Sequence, residues 1–196
     1  MRTLDVIQEE VKSCTKCELH ATRTNTVFSR GDPSATLCIV GEAPGQEEDE
    51  QGAPFVGRSG KLLDEVLTEV GLDVSKDIYV ANIIKCRPPG NRKPTEEETN
   101  SCILYLEEQL EIVRPKVIVA LGATAKSSLI MVENSMTKMR GKFYKRHYID
   151  STILVMPTWH PSYVLRNGSA GQVYDEFKAD LIAAINKAKE LSNEQE

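Results

Sequence analysis

Long apolar runs are missing from this 196-residue chain, and none reaches the length needed to cross a bilayer. The N-terminal "MRTLDVIQEEVKSC" carries acids where a secretory leader would have its apolar stretch, so a cytoplasmic protein without membrane contact is expected. Positive charge is in deficit: 24 Lys and Arg face 29 Asp and Glu, a net −5. The molecule as a whole therefore has no nucleic-acid-binding charge, and only a local basic patch could supply one. Cysteine, at five residues, is too scarce for a disulfide scaffold, and histidine occurs only three times. Internal repeats and low-complexity tracts are absent apart from a polar "SNEQE" at 192–196, expected to fray. The length and a hydrophobic content of 40% suit one domain over 1–196 with a full core.

Four short apolar runs read as buried strands: "TLCIVG" (36–41), "DIYVANIIK" (77–85), "KVIVALG" (116–122) and "STILVMP" (151–157). Helical patterns separate them. Leu62, Leu63, Val66, Leu67 and Val70 share a face, with Ser59 as the expected N-cap and Gly71 as the stop. Thr95 and Glu98 stand at capping-box spacing before a long helix. "GATAKSSLIMV" and "QVYDEFKADLIAAINKAKEL" give two more helices, and "KFYKRHYI" alternates as an extra strand would. Strands alternating with helices predict an α/β fold, a three-layer α/β/α sandwich around a four-stranded parallel sheet. Ligands of such sheets lie at the carboxyl ends of the strands. Three unusual loops follow strands there and should converge: "GEAPGQEEDEQGAPFVGRSG" (41–60), "KCRPPGNRKP" and "TWHPSYVLR".

The first loop packs five glycines and two prolines around five acids and one phenylalanine. It fails the phosphate-loop pattern, because Gly60-Lys61 is followed by Leu62, and it lacks G-x-G-x-x-G. It offers instead backbone N–H groups near Gly41–Gly45, the Glu42 carboxylate and the Phe55 ring. A turn-capping Glu42 and a core-covering Phe55 are the plainer alternatives, yet an aromatic between Pro54 and Gly57 on a polar loop suits stacking on a flat heterocycle. Asn82 interrupts an apolar strand; it is either a satisfied core amide or a group that matches the adjacent C=O and N–H of a nucleobase edge. His20 and His147 read as surface residues, whereas His160 ends the fourth strand before Pro161 and is the histidine placed for chemistry.

Cys14 and Cys17 form a C-x2-C pair, Cys86 follows the second strand and Cys102 lies on the capped helix; Cys38, mid-strand, reads as a buried hydrophobe. Four thiolates suit structural zinc or a [4Fe–4S] cluster, and the uneven spacing favours iron.

These motifs in this order resemble the family 4 uracil-DNA glycosylases, and the resemblance runs from Cys14 to the last helix. It implies removal of uracil from DNA by hydrolysis of the N-glycosidic bond, leaving an abasic site, with a [4Fe–4S] cluster on Cys14, Cys17, Cys86 and Cys102. It further implies that Phe55 stacks on the flipped-out base, Asn82 reads its O4 and N3–H, and backbone at Glu42 and Ala43 faces it. His160 would stand at uracil O2, Glu42 would position the water, and Glu48 would wall off the C5 methyl of thymine. The partner implied is uracil-containing DNA, single- or double-stranded; a monomer is expected, and the sequence is silent on a sliding clamp. DNA contacts are expected from Lys85, Arg87, Arg92, Lys93 and Arg166, with Tyr163 to Leu165 as an apolar wedge. An iron–sulfur redox protein or an inactive nucleic-acid-binding module would leave Asn82, Phe55 and His160 unexplained. A relative that traps the abasic sugar covalently would need a histidine on "CRPPGNRKPT", which has none.

Overall fold

The computed structural model describes residues 2–148, 151–168 and 170–194. Its strands are β1 (Arg30–Gly31), β2 (Leu37–Gly41), β3 (Ile78–Asn82), β4 (Val117–Leu121), β5 (Tyr144–His147) and β6 (Thr152–Thr158). The α-helices are α1 (Leu4–Lys12), α2 (Gln46–Gln51), α3 (Arg58–Glu69), α4 (Glu96–Val113), α5 (Gly122–Leu129), α6 (Met136–Met139), α7 (Pro161–Arg166) and α8 (Gln172–Asn193). The sheet is mixed and mostly parallel, ordered β1-β3-β2-β4-β6-β5. Its four inner strands run parallel, and both edge strands pair antiparallel.

Every residue of β2, β3 and β4 is buried, as strands covered on both faces require. Alternation along the strands divides the core in two. Cys38, Val40, Tyr79, Ala81, Ile118 and Ala120 pack beside α1, α4 and α5. Leu37, Ile39, Ile78, Val80, Val117 and Val119 pack beside α3, α7 and α8. Phe177 and Leu181 give α8 its completely buried stripe.

The expected four-stranded sheet is thus the centre of a six-stranded one. β5 is the alternating segment foreseen in "KFYKRHYI". The two-residue β1 carries no periodic signal, and its position depends on one glycine: a Cβ on Gly31 (φ +87°) would lie 2.0 Å from the Ile78 carbonyl oxygen. The second strand stops at Asn82 rather than 85, because the Ile83 and Ile84 amides turn to donate to the carbonyls of Gly41 and Glu42, at 2.9 and 3.2 Å. The N-cap of α3 is Gly57, so Ser59 sits inside the first turn. The Thr95–Glu98 capping box forms in both directions, at 3.1 and 2.8 Å. At the C-terminus α8 includes Ser192 and Asn193; residues 195–196 lie outside the described residues.

β2 has β3 on one side and β4 on the other, so successive crossovers leave it in opposite directions. The crevice outside the carboxyl ends of β2 and β4 is therefore the topological switch point, where α/β sheets hold ligands.

Candidate active site

A cavity of about 540 Å³ opens at that switch point, within the range of small-molecule sites. The three loops converge on it: Glu42, Ala43, Glu48 and Phe55 from the first, Asn82, Asn91 and Arg92 from the second, His160, Ser162 and Arg166 from the third. Among the described residues lining it, His160 is the only histidine, and none is a lysine.

Two glycines make room for the groups that wall this cavity. A Cβ on Gly41 would lie 2.4 Å from the Phe55 ring and 2.5 Å from Asn82 Oδ1, so ring and amide pack directly on bare backbone. On α3, a Cβ at Gly60 would lie 1.9 Å from the Phe55 carbonyl oxygen. Phe55 itself adopts φ +55°, a left-handed conformation unfavourable for an aromatic residue and characteristic of functional loops. Arg30 braces it, donating to its carbonyl at 3.4 Å while pairing with Asp64 at 2.5 Å.

Glu48 holds the same loop together. One carboxylate oxygen accepts from the amides of Val56 (3.0 Å) and Gly57 (2.8 Å), the other from Gly45 (3.0 Å). It ties the turn before α2 to the entry of α3, accepting from the N-cap amide of Gly57 and from the residue before it.

Asn82 is 2% exposed, and its Oδ1 has no hydrogen-bond partner. An unpaired buried amide oxygen is costly, and a ligand edge in the cavity would satisfy it. This disfavours the satisfied core amide.

His160 caps α7, accepting at Nδ1 from the Ser162 amide (3.1 Å), with the Ser162 hydroxyl at 2.8 Å. A backbone N–H can only donate, so Nδ1 accepts and the neutral ring carries its proton on Nε2. Burial, helped by the Arg166 charge and opposed by Glu48, lowers the His160 pKa to about 4. The imidazole is neutral at pH 7. Its ring lies 6.1 Å from that of Phe55. Glu42 is fixed by the Thr124 hydroxyl, which donates to its Oε2.

Further hydrogen bonds steady the end of β6. Thr158 donates to Asp180 (2.5 Å), Arg140 grips both Asp180 oxygens, and Trp159 Nε1 donates to Glu176 (2.8 Å).

Thr124 and Ser162 were not read from the sequence. Ser162 had a signal in "HPS", a capping residue followed by proline at the first helical position. Thr124 had none, since its partner is 82 residues away.

The basic residues separate into different roles. Lys85 is 1% exposed, its Nζ donating to the Asn82 carbonyl at 2.8 Å, so it does not reach DNA as expected. Arg92 forms two hydrogen bonds to Glu98 at 2.6 and 2.8 Å. Arg87 donates to Asn91 at 2.7 Å, and Lys93 and Arg166 are exposed. The apolar wedge is narrower than expected, because 163–165 belongs to α7 and Val164 is completely buried. Leu165 is half-buried, and Tyr163 is exposed beside the Trp159 ring at 4.8 Å.

A second cavity lies below, lined by Cys14, Cys17, Cys86 and Cys102 with Arg23 and Lys85. Among the described residues, no group of three or more His, Cys, Asp or Glu is arranged to hold a metal ion as it stands. The donor set nevertheless fits a thiolate-bound cluster. Two sulfurs receive N–H donors at 3.3 Å, Cys86 from Arg23 and Cys102 from the Lys85 amide, as cluster thiolates do. Cys38 lies apart in β2, its thiol pushed by burial up to about 12. His20 lines this second cavity, and His147 bonds Thr152 at the sheet edge.

Residues 28–188 match the uracil DNA glycosylase superfamily. The type-4 uracil-DNA glycosylase of Thermotoga maritima is 46% identical over 189 residues, covering 95% of this chain and 93% of that protein. That of Sulfurisphaera tokodaii is 44% identical over 181 residues, covering 90% and 82%. The type-5 uracil-DNA glycosylase of Pyrobaculum aerophilum is 31% identical over 167 residues, covering 78% and 71%. The fold and crevice thus define a member of this superfamily. Within it, the chain belongs to the type-4 uracil-DNA glycosylases.

Proposed function

We propose that the chain removes uracil from DNA by hydrolysing its N-glycosidic bond, releasing the base and leaving an abasic site. The observation that carries this reading is the unpartnered Asn82 amide oxygen, buried beside the Phe55 ring and His160 in one cavity. Uracil flipped from the stack rests on Phe55, at a cost of a few kcal/mol that a mismatch reduces. Asn82 accepts from N3–H through Oδ1 and donates to O4 through its amide nitrogen. Cytosine offers the opposite pattern on that edge and is rejected. Glu48, held by three amides, forms the fixed wall beside the C5 position, and backbone at Ala43 closes the base edge.

The barrier lies in separating a uracil anion from a cationic sugar. His160 donates from Nε2 to O2, where negative charge grows; because Nδ1 is already engaged, the ring need not reorient during reaction. Glu42, anchored through one oxygen, uses the other to hold the water and to stabilise the sugar cation. With neither a second histidine nor a lysine lining the cavity among the described residues, water is the nucleophile and no Schiff-base amine is present for strand cleavage. Arg87, Lys93, Arg166 and Tyr163 contact the DNA, and Arg92 does so only by loosening its hold on Glu98.

Cys14, Cys17, Cys86 and Cys102 would hold a [4Fe–4S] cluster, whose chemistry there would be structural, their thiolates tying together the segment after α1, the loop after β3 and α4.

The test is incubation with a uracil-containing oligonucleotide. Free uracil and alkali-labile sites are expected; no release by iron-replete protein would overturn the reading. An adduct stable to boiling in denaturant would refute hydrolysis, and a borohydride-trapped complex would refute the monofunctional assignment.

A further inference from the structure

Lys85 is the most anomalous buried group in the molecule. An ammonium at 1% exposure needs compensating charge, yet among the described residues the ionisable groups that act on it are the thiols of Cys102 and Cys38, with no carboxylate. Its one hydrogen bond from Nζ goes to the Asn82 carbonyl at 2.8 Å, and the ring of Phe28 lies 5.9 Å away. Its backbone amide meanwhile donates to Cys102 Sγ at 3.3 Å. One residue thus touches both the strand end that presents Asn82 and a sulfur of the second cavity.

Cys38 stays a neutral thiol, so it does not balance the ammonium. Thiolates do: a cluster on four cysteines keeps net negative charge, and nearby cations tune and stabilise it. Arg23 is the second cation lining the thiol cavity. It donates to Cys86 Sγ at 3.3 Å while bonding the carbonyls of Cys14 (2.8 Å) and Lys12 (2.9 Å). Of the two cations lining the thiol cavity, Arg23 points its guanidinium at sulfur, whereas Lys85 meets sulfur through its backbone amide and grips the base-reading strand through Nζ.

We propose that Lys85 is a positioning residue that couples the two cavities: its charge, with that of Arg23, balances the thiolate centre, and its Nζ fixes the Asn82 carbonyl and so the amide that reads uracil. The coupling rests on the cluster and base-reading roles proposed above. The backbone amide of Lys85 engages the thiol side while its Nζ holds the end of β3.

The test compares Lys85→Met, Lys85→Arg and Arg23→Gln with wild-type protein purified anaerobically, measuring iron per chain, midpoint potential and single-turnover excision normalised to bound cluster. Removing a cation beside thiolates disfavours adding an electron, so Lys85→Met and Arg23→Gln should both move the potential to more negative values. Lys85→Met should also lower normalised excision about 10-fold, more than Arg23→Gln does. Lys85→Arg, keeping the charge, should restore the potential. A Lys85→Met protein with native iron content, potential and rate would overturn the proposal. So would an unmoved potential in Arg23→Gln, which decides the matter if Lys85→Met does not fold. Wild-type protein that lacks iron or releases no uracil would instead refute the function on which the coupling rests.

Discussion

The two cavities are built by opposite means. The upper one is shaped by what is left out: Gly41 and Gly60 supply no Cβ, Asn82 leaves an oxygen unpaired, and a strained Phe55 faces the opening. Its walls are preset, with Glu48, Ser162 and Thr124 each fixing a neighbour. The lower one is shaped by convergence: thiols from α4, the loop after β3 and the segment after α1 meet beside two cations. The upper site is thus preorganised by local backbone, whereas the lower one, with the proposed cluster, would depend on occupancy to hold distant segments together. Damage should follow that division.

The most severe break falls on the lower cavity. Cys86→Ser should bleach the absorbance at roughly 400 nm expected of a [4Fe–4S] protein and destabilise the fold, because cluster binding is folding energy. Cys38→Ser should keep the colour, and a bleached Cys38→Ser would place the ligand set wrongly.

Changes in the upper cavity should spare colour and fold. His160→Ala and Glu42→Ala should each lower single-turnover excision by about 10²-fold or more. Asn82→Ala should do the same while DNA binding changes far less, since phosphate contacts remain. An equal loss of binding and excision would make Asn82 a fold residue.

A pH titration sharpens the contrast further. His160 has its folded pKa depressed to about 4, below an ordinary value of 6.5, so the unfolded chain binds more protons between them. Stability is therefore present above the higher value and is lost as pH falls towards the lower one, by up to about 3 kcal/mol. Denaturant midpoints at pH 7 and pH 4.5 should converge in His160→Gln relative to wild type; an unchanged pH slope would refute the neutral imidazole.

The smallest effect expected is Thr95→Ala, which removes one half of a helix cap and should cost about 1 kcal/mol in unfolding free energy without altering normalised excision.

What could be read from the sequence was whatever repeats or punctuates. Strand runs, the apolar face of α3, the Thr95–Glu98 box and the Gly/Pro-rich loops announce themselves within a few residues. Phe55, Asn82 and His160 stood out because each breaks its local pattern. Contacts between distant positions leave no such trace. Lys85 looks like a surface residue in "IIKCRP" until the fold encloses it, and "PSYVLR" looks like a loop tip until α7 buries Val164. The Asp180–Arg140 pair and the Thr124–Glu42 bond join segments 40 and 82 residues apart. No short-range rule connects them.

The engagement of Arg92 with Glu98 has a consequence for how the protein meets salt. Five basic residues near the loops would predict release of about five counterions on binding, with log affinity falling by roughly 0.9 per phosphate neutralised as log salt rises. Lys85 is enclosed, and Arg92 already makes two hydrogen bonds to the Glu98 carboxylate, which lower the pKa of that carboxyl to about 2. Arg87, Lys93 and Arg166 remain, so the slope should be shallow, roughly that of three neutralised phosphates. On an acidic molecule, such weak electrostatic adhesion would leave the search for damage to brief encounters, with residence set by whether a base enters the cavity.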